Sequence, residues 1–222
     1  MSETIVVRSS DKEEFSIKNW HIFFFITFLY LIITLINDRF IMTREIYGLM
    51  LADQIESNRI DDYYEMLKRF SVYTYLALPI IVWLKITFIA LLLQTPMMLK
   101  GIEVSFKETF RISVLANISY ILLGLVKLVI LFLTPTSDYT SALLNSIPGS
   151  ITNFISRESY SPIAYSFLSS INIYEVLWIT IVFYGLAKLK KMDRTDSFIL
   201  AFSIWLGLTL FQFSLVLYFN KA

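Results

Sequence analysis

Three charged side chains stand inside otherwise apolar blocks of this chain: Lys85, Lys127 and Glu175. Charge within hydrocarbon is rare and faces a bundle interior or a wet cavity, so these residues mark a structural ion pair or a polar path. Counting along each block at ~1.5 Å per residue puts Lys127 and Glu175 in the same outer third, where they are expected to pair. Lys85 sits near the middle of the run IIVWLKITFIALLLQTPMMLK (80–100) and is expected to reach outward toward them along its flexible stem. Gln94, Asn117, Asn172 and Gln212 add uncharged polar points, expected to hydrogen-bond between helices.

None of these residues forms a constellation for bond-breaking chemistry. Glu175 has no second carboxylate within the apolar blocks, so a two-acid hydrolytic mechanism has no basis. There is no cysteine, and the single histidine, His21, stands at the edge of the first block, where it reads as an interfacial anchor. The signatures H-E-x-x-H and G-x-S-x-G are missing, and six scattered glycines build no phosphate loop. The expectation is a protein that is not an enzyme, with no metal, no cofactor and no nucleotide site. A net charge of +1 with basic residues spread over loops also argues against nucleic acid as a partner.

The elements that must position these residues are membrane spans. The chain of 222 residues is 56% hydrophobic and 17% charged, against about a quarter charged in soluble domains. Its apolar residues cluster in five blocks, at about 20–37, 72–99, 112–134, 171–189 and 197–219. Backbone groups in lipid must pair within their own segment, so each block is expected to be a helix. The fold class is therefore all-α, a single integral membrane domain over 1–222, with a polar tail at 1–19. That tail mixes Arg8, Asp11, Lys12, Glu13, Glu14 and Lys18, and no small-residue cleavage site follows the first block, so a retained span rather than a signal peptide is expected.

Lys and Arg number three in 100–111, one in 135–174 and four in 188–196. Cytoplasmic loops carry the basic excess, which puts the first and third of these segments, and the N-terminus, inside. Ser105-Phe106-Lys107-Glu108 has the spacing of a capping box and should start the third span. In the first outer loop Ile60, Tyr63, Tyr64, Leu67 and Phe70 recur at helical spacing. The second shows Leu143, Leu144 and Ile147, a Pro148-Gly149 turn, then Ile151, Phe154 and Ile155. Short amphipathic helices on the membrane surface fit both loops, and the Ile60–Phe70 face is a candidate docking surface.

The stretch Gly101-Ile-Glu-Val-Ser-Phe-Lys-Glu-Thr-Phe-Arg-Ile-Ser-Val, with the apolar run over 115–128, resembles the entry into the third span of the Yip1 family of membrane proteins. Ser170-Ile-Asn-Ile-Tyr-Glu-Val-Leu-Trp-Ile-Thr-Ile-Val-Phe-Tyr-Gly-Leu-Ala-Lys-Leu is similar to that family's fourth span, followed here by a short basic loop and a last span. Asn172 stands where members often carry aspartate, and Trp178 is displaced by one position. The resemblance covers 72–219 and implies a five-span bundle with a cytoplasmic N-terminus. Its eukaryotic members look like Golgi trafficking factors that engage Rab GTPases and one another through a long polar tail, which this chain lacks. An Ile-, Phe- and Lys-rich composition points to a bacterial inner membrane, with a Golgi or ER membrane as the alternative.

Two functions fit these residues. One is a non-enzymatic scaffold or accessory subunit, working through helix faces and outer loops on a membrane-protein partner or a second copy. The other is a small transporter, channel or permease subunit whose polar path is lined by Lys85, Lys127 and Glu175.

Overall fold

The computed structural model describes residues 10–51, 59–156 and 159–219. The first half of the polar tail, with Arg8, and the C-terminal Asn220, Lys221 and Ala222 lie outside the described residues. Everything described is helical or irregular, with no strand. Helix α1 (Ser10–Ile36) runs into one π-helical turn (Asn37–Ile41), and α2 (Arg44–Leu51) follows. Next come α3 (Ile60–Leu99), α4 (Phe106–Ala116) and α5 (Ile118–Leu133). Two short helices, α6 (Ser141–Asn145) and α7 (Pro162–Ser169), lead to α8 (Ile173–Lys188) and α9 (Arg194–Phe219). Among the described residues four segments are long and apolar enough to cross a membrane: Trp20–Ile41, Ile60–Leu99, Phe106–Leu133 and Arg194–Leu215.

The α4–α5 rod is central because its residues are buried on two sides. Ile112, Ala116, Trp178, Val182 and Ile204 share one core with the end of α3, including Leu93 and Met97. Phe110, Val114 and Ile121 share another with Phe23 and Ile26 of α1 and Val82 and Ile86 of α3. A third cluster, Ile41, Ile46, Leu128, Leu131, Tyr139 and Leu144, closes the end opposite the basic loops. Small residues let the rod approach its neighbours: a Cβ on Gly185 would stand 2.8 Å from Cγ1 and 2.9 Å from Cγ2 of Ile112. Gly185→Ala is therefore expected to cost about 1–3 kcal/mol in thermal unfolding in detergent, the cost of overpacking. Gly207→Ala, with open space around the new Cβ, should be neutral or slightly stabilising.

Caps and ion pairs fix the basic end. Ser105 Oγ accepts from Glu108 N at 3.3 Å while Glu108 Oε2 accepts from Ser105 N at 2.8 Å, the reciprocal pair that the spacing predicts. Lys191 holds Glu108 at 2.9 Å and Lys100 faces Asp196 at 3.5 Å, fastening the α8–α9 loop to the start of α4 and α9 to the end of α3.

Two expectations need correction. Residues 60–70 do not form a separate surface helix, because nothing breaks the backbone before Leu99. Helix α3 continues through Pro79 and Pro96 for 40 residues, about 60 Å and twice a bilayer core. The block at 171–189 is also shorter than expected: α8 has 16 residues, about 24 Å, short of the ~30 Å core. Asn172 starts it late, its Oδ1 accepting from Tyr174 N and Glu175 N, both at 3.0 Å. In front of it the turn after Pro148 and the residues just before α8 pair backbone to backbone in a small knot, with Ile173 N bonded to Gly149 O and Ile151 N to Ile171 O, each at 3.2 Å. Gly149 adopts φ +71° there, against Ile173, which only glycine tolerates without strain.

Candidate functional site, a polar cavity between four helices

Helix lengths place one layer of residues at a common depth. Lys85 to Leu99, Phe106 to Tyr120, Glu175 to Lys188 and Arg194 to Thr209 each span about 20–22 Å from the basic end. In that layer α3, α5, α8 and α9 surround a cavity of about 390 Å³ lined by Lys85, Phe88, Ile89, Tyr120, Glu175, Trp178, Trp205, Leu208, Thr209 and Gln212. The volume is within the range of small-molecule sites, about 300–1,000 Å³. Ile89, Trp178 and Thr209 are buried, whereas Lys85, Phe88 and Gln212 are exposed, so the cavity opens between α3 and α9.

Tyr120 organises the charges. Its hydroxyl donates to Glu175 Oε2 at 3.2 Å, and the Lys85 ammonium lies 3.9 Å from its ring centroid. Lys85 and Glu175 attract each other but make no direct ion pair, since Tyr120 links them through its ring and its hydroxyl. Glu175 also sits in the first turn of α8, where the helix dipole favours negative charge. Among the described residues four buried side-chain polar atoms lack a hydrogen-bond partner, and two belong to residues of this cavity, Trp178 Nε1 and Trp205 Nε1. The Trp205 indole leans toward Glu175 without reaching hydrogen-bond geometry.

Asn117, between α4 and α5, lies one turn before Tyr120. It is fully buried, and its side-chain Nδ2 donates to Ser113 O at 2.8 Å, beside the backbone ladder that passes through it. Tyr30 of α1 steadies the amide at 3.5 Å from Oδ1. Asn117 thus positions the site without lining it. Gln94 is structural too: its Nε2 donates to Val104 O at 3.2 Å, pinning the loop between α3 and α4. Asn172 is the cap of α8, and Gln212 is on the cavity wall.

Lys127 does not join Lys85 and Glu175. It is half-buried on α5, no carboxylate among the described residues forms an ion pair with it, and it lies about 10 Å beyond Tyr120 along the helix. The expected pairing fails because α8 starts at the depth of Tyr120, in the middle of Phe106–Leu133, and not at the outer boundary of its apolar block. Tyr120, Trp178, Trp205 and Thr209 were missing from the sequence-based set. Their available signal is location: Tyr and Trp favour membrane interfaces, so their presence at mid-block marks a polar neighbour.

The proposed docking residues serve partly within the chain. Ile60, Tyr63, Tyr64 and Leu67 are half-buried on the first turns of α3, and Phe70 is exposed. Tyr64 meets Tyr47 of α2 edge-on at 5.6 Å, with Lys68 5.4 Å over its ring. Lys68 pairs with Asp38 at 2.9 Å, Tyr75 donates to the same carboxylate, and Arg44 pairs with Asp61. Burial, then the Asp38 carboxylate, pushes the Tyr47 phenol up. Among the described residues no group of three metal-ligating side chains converges.

Comparison of the chain with protein-family models, curated proteins and solved structures gives no match.

Proposed function

We propose that this protein binds a small polar solute at half-membrane depth, as a small transporter or permease subunit. The observation that supports it is the cavity between α3, α5, α8 and α9, where Lys85 and Glu175 flank Tyr120 and Thr209 and Gln212 add polar wall. A purely structural ion pair would bring ammonium and carboxylate together and leave no room between the helices; here they stay apart around a space. The late start of α8 supports the same reading, because interrupted helices build solute sites at the midplane of many transporters. In this proposal α8 and α7 together make a fifth crossing, the fold is Yip1-like, and the chain lies in a bacterial inner membrane with its N-terminus cytoplasmic. No catalytic step is assigned to it.

The test uses the absence of native cysteine. Thr209 is buried on the cavity wall, so Thr209→Cys should react with a small water-soluble thiol reagent in sealed vesicles, whereas Leu206→Cys, exposed on the same helix, should not. Failure of Thr209→Cys to react would remove the solute site.

A second reading, the accessory subunit, is favoured by one observation. The first turns of α3 stand beyond a bilayer's thickness and present Phe70 and Tyr73, exposed and 6.1 Å apart. Recovery of a stoichiometric membrane partner with the tagged protein in mild detergent, lost on Phe70→Ser, would support it.

A further inference from the structure

The cavity's side chains go further than polarity, and the step taken here rests on the solute-site reading above. We infer that the ligand is a small zwitterion, carrying an ammonium and a carboxylate or phosphate a few bonds apart. The walls offer one full charge of each sign, Lys85 and Glu175, so the empty site is balanced. An anion alone would meet Lys85 but face the carboxylate of Glu175; a cation alone would meet Glu175 but face the ammonium of Lys85. In a low-dielectric layer either mismatch is heavily penalised, and a ligand neutral overall but charged at both ends avoids it.

The hydrogen-bonding groups sort the same way. The Lys85 ammonium rests on an aromatic face and not on an acceptor, so its N–H groups remain for an anionic group, with Thr209 and Gln212 on the same wall. Glu175 receives the Tyr120 hydroxyl on Oε2 and, as a carboxylate, has further lone pairs for an ammonium, while the Tyr120 ring already holds one cation on its face. Ligand binding would draw Lys85 from the Tyr120 ring toward the anion, exchanging one cation for another on that face.

Two sources present this chemistry: free α-amino acids from the aqueous phases and the headgroup of phosphatidylethanolamine entering between α3 and α9. The experiment reads the rate at which Thr209→Cys is modified. In phosphatidylglycerol vesicles, a neutral amino acid at about ten times its Kd should slow modification about tenfold by occupancy. Its methyl ester, which lacks the carboxylate, and its deaminated acid, which lacks the ammonium, should not slow it. Lys85→Met or Glu175→Gln, added to Thr209→Cys, should abolish the protection. Slow modification in phosphatidylethanolamine vesicles without added amino acid would support the inference and identify the lipid headgroup as the source. Equal protection by ester or deaminated acid overturns it. So does reactive Thr209→Cys that neither amino acids nor phosphatidylethanolamine protects, and both outcomes leave the solute site standing. A Thr209→Cys that stays unreactive in phosphatidylglycerol vesicles without added amino acid removes the solute site itself.

Discussion

Lys85→Met and Glu175→Gln should each destabilise the detergent-solubilised protein by about 1–3 kcal/mol, below the cost of breaking a fully buried ion pair. The cost is reduced because Tyr120 stands between the two charges and Lys85 is exposed at the cavity mouth. The glutamine variant keeps an acceptor for the Tyr120 hydroxyl, so its loss reports the charge and not the hydrogen bond. The double variant carries neither charge and should recover most of the deficit, with a coupling energy of about 1–3 kcal/mol. Glu103→Gln, exposed in the loop before α4, should change nothing measurable. Additive losses in the double variant would mean that Lys85 and Glu175 act independently.

Trp178→Ala should be the most damaging single change in the cavity wall, at about 3–5 kcal/mol. Trp178 is 1% exposed and packs within the core formed by the ends of α3, α4, α8 and α9. Trp178→Phe separates the ring from its N–H group. Since that N–H has no partner within the chain, phenylalanine loses no hydrogen bond, and the expected cost is under about 1.5 kcal/mol. If phenylalanine costs as much as alanine in a melting curve, the indole N–H is bonded within the fold.

The apolar blocks of α1, α3, α4–α5 and α9 were legible in the sequence because lipid demands long, uninterrupted hydrophobic runs, which composition alone reveals. The start of α4 was legible for a local reason, the Ser105–Glu108 reciprocal cap. The depth of Glu175 was not. A hydrophobic count takes Ile171 as a membrane boundary, whereas Asn172 caps a helix that begins at the level of Tyr120, behind a knot of Ser150, Thr152 and Gly149. Lys127 was grouped with Glu175 through that same misplaced boundary. The aromatic part of the site was hidden differently. In a chain that is 16% aromatic, Trp178, Trp205 and Tyr120 do not stand out until they are seen lining one volume.

The emission of Trp178 and Trp205 gives the most direct test that this volume is wet and polar. The chain has four tryptophans, so Trp20→Phe with Trp83→Phe leaves only the cavity pair. In reconstituted vesicles their fluorescence should be red-shifted relative to a variant retaining only the exposed Trp83, and should be quenched by aqueous acrylamide more than by brominated lipid. Blue-shifted emission quenched by brominated lipid alone would show a dry site and contradict a solute-binding cavity.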